Sequence, residues 1–194
     1  MREKILKSFK DSISVKQKFV EEYMETIIDV SRLIADTMNN GSKLLLFGNG
    51  GSACDASHIA AEFINRFQRE RPAFPAIALN TDMAVITSIA NDYDYTTIFE
   101  RQLKALAQEG DVVVAISTSG DSPNVIKAVE TATRKGLKVV ALTGAKGDKL
   151  ASISDYVFAV PSNDTPRVQE THITLGHVLC QMVEEILFES HRKK

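Results

Sequence analysis

Residues 43–58 read KLLLFGNGGSACDASH, an apolar run followed by a glycine-rich loop and then a predicted helix. The apolar run is continuous rather than alternating, which is typical of a strand buried on both faces of a parallel sheet. The glycines allow the backbone to pass close to a ligand. A helix that begins beside them offers free backbone amides to an anion. This segment therefore predicts an α/β fold with a ligand site at the end of its first strand.

Four further apolar runs extend the same pattern. With the first run at 43–48, the predicted strands are residues 43–48, 75–80, 111–117, 138–143 and 156–161. Helical periodicity lies between them, for example over residues 121–135, where Gly136 is a natural stop. Repetition of strand and helix predicts an α/β fold with a five-stranded parallel sheet, helices on both sides and right-handed crossovers.

Long helices are predicted at both ends of the chain. Residues 3–39 have helical spacing of apolar positions, and a second amphipathic helix includes Leu175, Leu179 and Val183. We expect one domain over residues 1–194, with a helical region at 1–40 and an α/β core with the C-terminal helix at 41–194. The two helices carry more apolar surface than a small domain leaves open, which indicates a homo-oligomer. In the alternative interpretation, both helices simply cover their own sheet.

The composition is that of an ordinary globular domain, with 44% hydrophobic and 25% charged residues among 194. The 23 basic and 25 acidic residues give a net charge of −2, which argues against non-specific electrostatic binding to nucleic acid. Two cysteines, Cys54 and Cys180, fit a reducing compartment. No signal peptide is visible, and no apolar stretch approaches the ~20 residues of a membrane helix. These features predict a cytoplasmic protein without a membrane or nucleic-acid partner.

The third predicted strand ends in the hydroxyl-rich loop STSGDS, residues 117–122. Hydroxyl groups together with helix-start amides can hold a phosphate monoester without any lysine or arginine. Capping of the next helix is the alternative, but it needs one hydroxyl and the loop has four. The hydroxyls that we predict to hold a phosphate are those of Ser117, Thr118, Ser119 and Ser122.

The glycine loop at residues 48–52 matches neither the dinucleotide fingerprint nor the Walker pattern. Ser52 is a candidate helix cap or ligand-facing hydroxyl. His58 and Glu62 follow on the predicted helix with i, i+4 spacing, so they share one face. On the C-terminal helix, Gln169 and His177 lie about 80° apart around the axis. A surface pair and a core histidine would be ordinary explanations, but the nearby glycine loop favours a site.

Four separated segments together resemble the sugar isomerase (SIS) family, and more narrowly its phosphoheptose isomerases. They are NGGSACDASHIAAEF at 49–63, the pair Asn91-Asp92, STSGDS at 117–122 and RVQETHITLGH at 167–177. The resemblance extends over about residues 19–188. It implies a single SIS-type domain, assembled as a homotetramer, that interconverts D-sedoheptulose 7-phosphate and D-glycero-D-manno-heptose 7-phosphate through an enediol. This reaction is the first step of ADP-heptose or GDP-heptose precursor synthesis for lipopolysaccharide or other surface glycans.

The resemblance also implies the roles of individual residues. It assigns one zinc ion per subunit to His58, Glu62, Gln169 and His177. It makes Glu62 the base and His177 the acid, although a carboxylate bound to zinc is a weaker base. The residues implied to contact the substrate are Asn49, Gly50, Gly51, Glu62, Asn91, Asp92, Ser117, Thr118, Ser119, Ser122 and Gln169.

The sequence departs from the family pattern at one position, and one segment also resembles a second kind of protein. Some members of the family have an acid where Pro166 stands, so a role assigned to that acid does not transfer. Residues 63–82 also resemble a non-catalytic relative that binds the replication initiator DnaA, but that relative lacks the acid at Glu62 and the imidazole at His177. The alternative hypothesis is therefore a module that docks DnaA or senses a sugar phosphate. A hexose-phosphate isomerase of the same fold is a weaker hypothesis, because those relatives lack the four predicted metal ligands.

Overall fold

A computed structural model describes residues 1–189 and shows a five-stranded parallel sheet in the order β2-β1-β3-β4-β5. The strands are β1 Leu44–Gly48, β2 Ala76–Ala78, β3 Val112–Ser117, β4 Lys138–Gly144 and β5 Tyr156–Val160. The helices are α1 Arg2–Asn39, α2 Gly51–Ile64, α3 Met83–Asp92, α4 Ile98–Leu106, α5 Pro123–Arg134, α6 Asp148–Ala151 and α7 Thr165–Glu189, with a 3₁₀ turn at Tyr95–Thr97. The predicted α/β fold with flanking helices is confirmed; the predicted domain, residues 1–194, extends beyond the described part.

Both faces of the sheet are covered, which explains why the strands are continuously apolar. In β1, Leu44 and Leu46 face a core formed with α1, α2 and α7, whereas Leu45 and Phe47 face a second core formed with α3, α4 and α5. Strand β2 is shorter than the predicted 75–80. It is an edge strand, and Pro75 before it has no N–H to give to a ladder.

Helix α1 covers the sheet with only part of its length. Phe19 and Tyr23 pack against Phe158 of β5, with ring centroids 6.1 and 5.7 Å apart. The first four turns of α1 instead leave large apolar side chains exposed, among them Phe9 and Ile13. Helix α1 therefore covers its own sheet from about Phe19 onward, and its first four turns do not. Within residues 1–189, no helix is long and apolar enough to span a bilayer.

Candidate active site

The glycine loop and the hydroxyl loop lie side by side because β1 and β3 are parallel neighbours, with Gly48 opposite Ile116. Ligands of open α/β sheets bind at this carboxyl edge. Reciprocal amide hydrogen bonds of 2.9 Å each between Asn49 and Asn124 join the glycine loop to the first turn of α5, directly after the hydroxyl loop. The hydroxyl of Tyr95 also donates to Asn49 Oδ1, at 3.1 Å. Neither Asn124 nor Tyr95 was predicted from the sequence, since pairing across so many residues leaves no local pattern.

The glycine loop is shaped by close approach of its backbone to α7. Helix α2 begins at Gly51 with Gly50 as its N-cap, so the interpretation of Ser52 as the cap is wrong. Ser52 is buried within the first turn. A Cβ atom on Gly51 would lie 2.4 Å from Nε2 of Gln169. The Gln169 side chain therefore lies directly against the loop and would have to move to admit a larger residue at position 51.

His58, Glu62 and His177 form a cluster one to two turns further along α2. His58 Nε2 lies 3.1 Å from Glu62 Oε1, and His177 Nε2 lies 3.5 Å from His58 Nε2. Helix α7 brings His177 here because it packs closely on α2, where Gly176 lies against Ile59. The structure thus brings together a carboxylate and an imidazole that lie 115 positions apart in the chain.

This cluster has the donor set of a divalent-cation site. One ligand atom from each of His58, Glu62 and His177 lies within 4.8 Å of the others. Two imidazole nitrogens facing each other beside a carboxylate oxygen are suitable ligands for a borderline-soft ion such as zinc. The backbone of Gln169 is about 12 Å from that of His177 along the helix axis. Three of the four predicted ligands thus converge, and the ligand roles of all four, including Gln169, stay predictions.

Asp55 adds a second carboxyl group one turn before His58. Its Oδ2 atom is buried and has no hydrogen-bond partner among residues 1–189. Burial raises the pKa of the Asp55 carboxyl to about 6, an effect that the nearby His58 partly offsets. Asp55 was not among the predicted site residues, although its i, i+3 spacing from His58 on one helix is a visible signal.

The hydroxyl groups of the loop at 117–122 differ in exposure, since Ser119 is exposed and Ser117 is buried. Ser117 and Ser122 share a hydrogen bond of 3.0 Å between their hydroxyls, and Ser119 Oγ accepts from the Asp121 amide. Ser122 occupies the N-cap position of α5, but its side chain makes no capping bond in the described structure. A cavity of about 270 Å³ adjoins the loop, lined by residues that include Thr118, Ser119 and Lys146. Capping alone therefore does not account for the four hydroxyls.

Asn91 and Asp92 occupy the last turn of α3 and are exposed. The Asn91 side chain donates to Asp92 Oδ1 at 2.8 Å. They end a helix rather than forming a separate turn, and the chain then runs through Tyr95, whose hydroxyl reaches Asn49. Asp92 is thus only three positions before Tyr95, which bonds to the glycine loop. The contact of Asn91 and Asp92 with a sugar stays a prediction.

Known proteins share both the sequence and the fold. A family model described as "SIS domain" matches residues 8–144. A phosphoheptose isomerase of Thermodesulfovibrio yellowstonii is 62% identical over 189 residues, which cover 97% of this chain and 94% of that relative. The chain belongs to the phosphoheptose isomerase family of SIS-domain proteins.

Two solved phosphoheptose isomerases have the same architecture. That of Neisseria gonorrhoeae superposes with a TM-score of 0.89 at 39% identity, over 95% of this chain and 98% of the other. That of Francisella tularensis gives a TM-score of 0.91 at 37% identity, over 94% and 97%. The predicted resemblance to phosphoheptose isomerases is confirmed. The alternative of a non-catalytic protein that docks DnaA or senses a sugar phosphate is not favoured.

Proposed function

We propose that this protein is an aldose–ketose isomerase that interconverts D-sedoheptulose 7-phosphate and D-glycero-D-manno-heptose 7-phosphate. The observation that carries the proposal is the meeting of Glu62 and His177 beside His58, on two packed helices next to a hydroxyl-lined loop. Relatives named for this activity support the substrate. The product then enters heptose precursor synthesis, which we assign to lipopolysaccharide or another surface glycan.

The reaction moves one proton from C1 of the ketose to C2 of the aldose through an enediol. Glu62 is suited to be the base, because Oε1 is oriented by His58 at 3.1 Å and the second oxygen remains to take the proton. His177 approaches from the opposite helix and is suited to exchange protons with the sugar oxygens. The C1 carbon and the C1 hydroxyl each give up a proton as the aldehyde forms, and the C2 carbon and the C2 oxygen each gain one, so the reaction is balanced without any external proton.

We assign a divalent cation, zinc, to His58, Glu62 and His177, with Gln169 as a fourth ligand and one ion per subunit. Such an ion would polarise the C1 and C2 oxygens and stabilise the enediolate. The chain itself orients the three converging side chains through the packing of α2 on α7. Glu62 would then act both as a cation ligand and as the base, and these roles oppose each other because a carboxylate bound to a cation is a weaker base.

The substrate contacts follow from the loops. The hydroxyls of Ser117, Thr118, Ser119 and Ser122 and the first amides of α5 are suited to bind the phosphate. The Asn49 side chain is engaged with Asn124 and Tyr95, so it presents its remaining amide hydrogen rather than a free carbonyl. The residues that we assign to the sugar are Asn49, Gly50, Gly51, Glu62, Asn91, Asp92 and Gln169.

The exposed row on α1 supports a homotetramer. Ile5, Leu6, Phe9 and Ile13 are 53%, 60%, 69% and 64% exposed. Their spacing forms one apolar stripe on the helix, which another copy of the chain could bury. We further propose that residues 1–194 act as one domain and that the protein works in the cytoplasm, where its two free cysteines would stay reduced.

The test is conversion of sedoheptulose 7-phosphate by the purified protein, followed by NMR with and without a chelator. We expect an aldose signal that declines after chelation and returns with added zinc. Binding of the sugar phosphate without any conversion, even with zinc present, would instead support the sensing or DnaA-docking hypothesis. Conversion of a hexose 6-phosphate in preference to the heptose would point to the third hypothesis.

A further inference from the structure

A buried ion pair lies behind the candidate active site. Arg71 Nε is 2.7 Å from Glu184 Oε1, and the two side chains are 1% and 3% exposed. The Glu184 carboxylate also accepts the backbone amides of Phe67, Gln68 and Arg69, at 3.0, 3.0 and 3.1 Å. Burial acts to raise the pKa of Glu184, but the bonds from Arg71 and the three amides outweigh it and hold the pKa below its usual range. Glu184 on α7 thus binds the backbone of the segment that follows α2.

Arg71 fixes the other end of that segment. Its guanidinium donates to the backbone carbonyl oxygens of Glu62 at 2.8 Å, Phe63 at 2.9 Å and Pro72 at 3.1 Å. The first two of these carbonyls belong to the last turn of α2, which also carries the Glu62 side chain. The ion pair therefore ties α7, the end of α2 and the connecting residues 65–71 into one unit.

The connecting residues 65–71 place the Phe67 ring against His177 of the candidate active site. The Phe67 ring stacks on the imidazole of His177, with centroids 5.6 Å apart and planes 22° from parallel. The His58 ring meets the same imidazole edge-on, at 5.0 Å and 76°. The His177 ring is thus confined on two sides, and one side depends on a segment that Glu184 and Arg71 hold.

We propose that Arg71, Glu184 and Phe67 are positioning residues that set the orientation of His177 and of the α2 turn bearing Glu62. This inference rests on the proposed isomerase function and deepens it. A buried ion pair is weak evidence for stability alone, because desolvation offsets most of the attraction. Here the pair makes six bonds to backbone, of which two go to the α2 turn that carries Glu62 and three to the segment that carries Phe67. Small misplacements of such groups lower the chemical rate by one to two orders of magnitude, about 10- to 100-fold.

Substitutions at Phe67 separate positioning from simple packing. We expect Phe67→Leu to lower kcat about tenfold while KM for the sugar phosphate stays within about twofold, since the phosphate loop is untouched. Phe67→Tyr keeps the flat ring and should restore kcat to within about twofold of wild type. The matched control is Phe158→Leu, which removes a fully buried ring on β5 away from the site and should leave kcat unchanged.

Two further readouts make the result decisive. In the NMR spectrum of the purified protein, the His177 ring signals should broaden in Phe67→Leu and match wild type in Phe67→Tyr. Glu184→Gln, which keeps the shape but not the charge, should lower kcat with KM nearly unchanged. If that variant does not fold, as its Tm will show, the Phe67 pair decides alone.

Equal kcat values for Phe67→Leu and wild type, or equal losses in the Leu and Tyr variants, would overturn the positioning role. So would a rise in KM with no fall in kcat. An inactive wild-type protein would contradict the proposed function itself, which distinguishes the two failures.

Discussion

Glu62 is the single residue on which the proposed chemistry depends most. His58 holds one of its oxygens, and the side chain is only partly exposed, which limits competition from water. We expect Glu62→Gln to lower kcat at least about 100-fold, because the amide cannot accept the C1 proton. The dissociation constant of the sugar phosphate, measured by calorimetry, should change by less than about threefold.

The matched control for that substitution is Glu70→Gln, since Glu70 is an exposed carboxylate that pairs only loosely with Arg66 at 3.5 Å. Glu70→Gln should retain wild-type kcat. A Glu62→Gln protein that keeps more than a tenth of the wild-type kcat would exclude Glu62 as the base.

His172 gives a second prediction at the scale of one residue. Burial lowers the pKa of His172 to about 4 from 6.5, although its hydrogen bond to the Thr143 carbonyl opposes this. The unfolded chain therefore binds more protons between these values, so stability is complete above pH 6.5 and falls as pH drops toward 4. We expect a loss of about 2 kcal/mol in the free energy of unfolding between pH 7.5 and 5 from this residue.

Urea unfolding of wild type and His172→Gln at both pH values measures this contribution as a difference, so that other titrating groups cancel. The loss in the variant should be smaller by about 2 kcal/mol. Equal losses in the two proteins would show that His172 titrates normally.

At the scale of elements, the hydroxyl loop depends on Gly120. Gly120 has φ of +67°, and a Cβ there would lie 2.3 Å from Cα of Gly147 in the loop after β4. Gly136 has a similar φ of +74°, but a Cβ at Gly136 would meet no described atom within 4 Å beyond its chain neighbours. Alanine should cost each site about 1–2 kcal/mol through the left-handed conformation. Only Gly120→Ala should also displace Ser117–Ser122.

We therefore expect Gly120→Ala to raise KM about tenfold and Gly136→Ala to leave KM unchanged, measured by steady-state kinetics. Tm values of both variants give the stability cost separately. Identical KM values in the two variants would mean that the loop geometry does not govern phosphate binding.

The elements were largely predictable from the sequence because their signals are local. Continuous apolar runs indicated all five strands, and the i, i+4 spacing placed His58 and Glu62 on one face. The approach of His177 depends on how α7 packs on α2, so the residues themselves allowed ordinary alternatives until the resemblance was considered. Asn124, Arg71 and Glu184 were missed because their partners lie far away in the chain, where periodicity carries no information.

At the scale of the whole molecule, the apolar row on α1 predicts assembly. Phe9→Glu with Ile13→Glu places two charges on that row and should dissociate the proposed homotetramer into smaller species. Light scattering after size exclusion measures the mass, and circular dichroism checks that the fold is kept. The control is Lys10→Glu with Ser14→Glu, two exposed polar positions on the same helix. If the mass of the Phe9→Glu, Ile13→Glu protein equals that of wild type, α1 does not form the interface between copies.

The most direct test of the account is the fate of the transferred proton. Sedoheptulose 7-phosphate is converted in deuterated water, and the aldose product is examined by NMR at C2. Proton transfer through Glu62 predicts deuterium at C2 with the wild-type protein and aldose formation at least about 100-fold slower with Glu62→Gln. An aldose carrying only protium at C2, formed equally fast by the Gln variant, would contradict it.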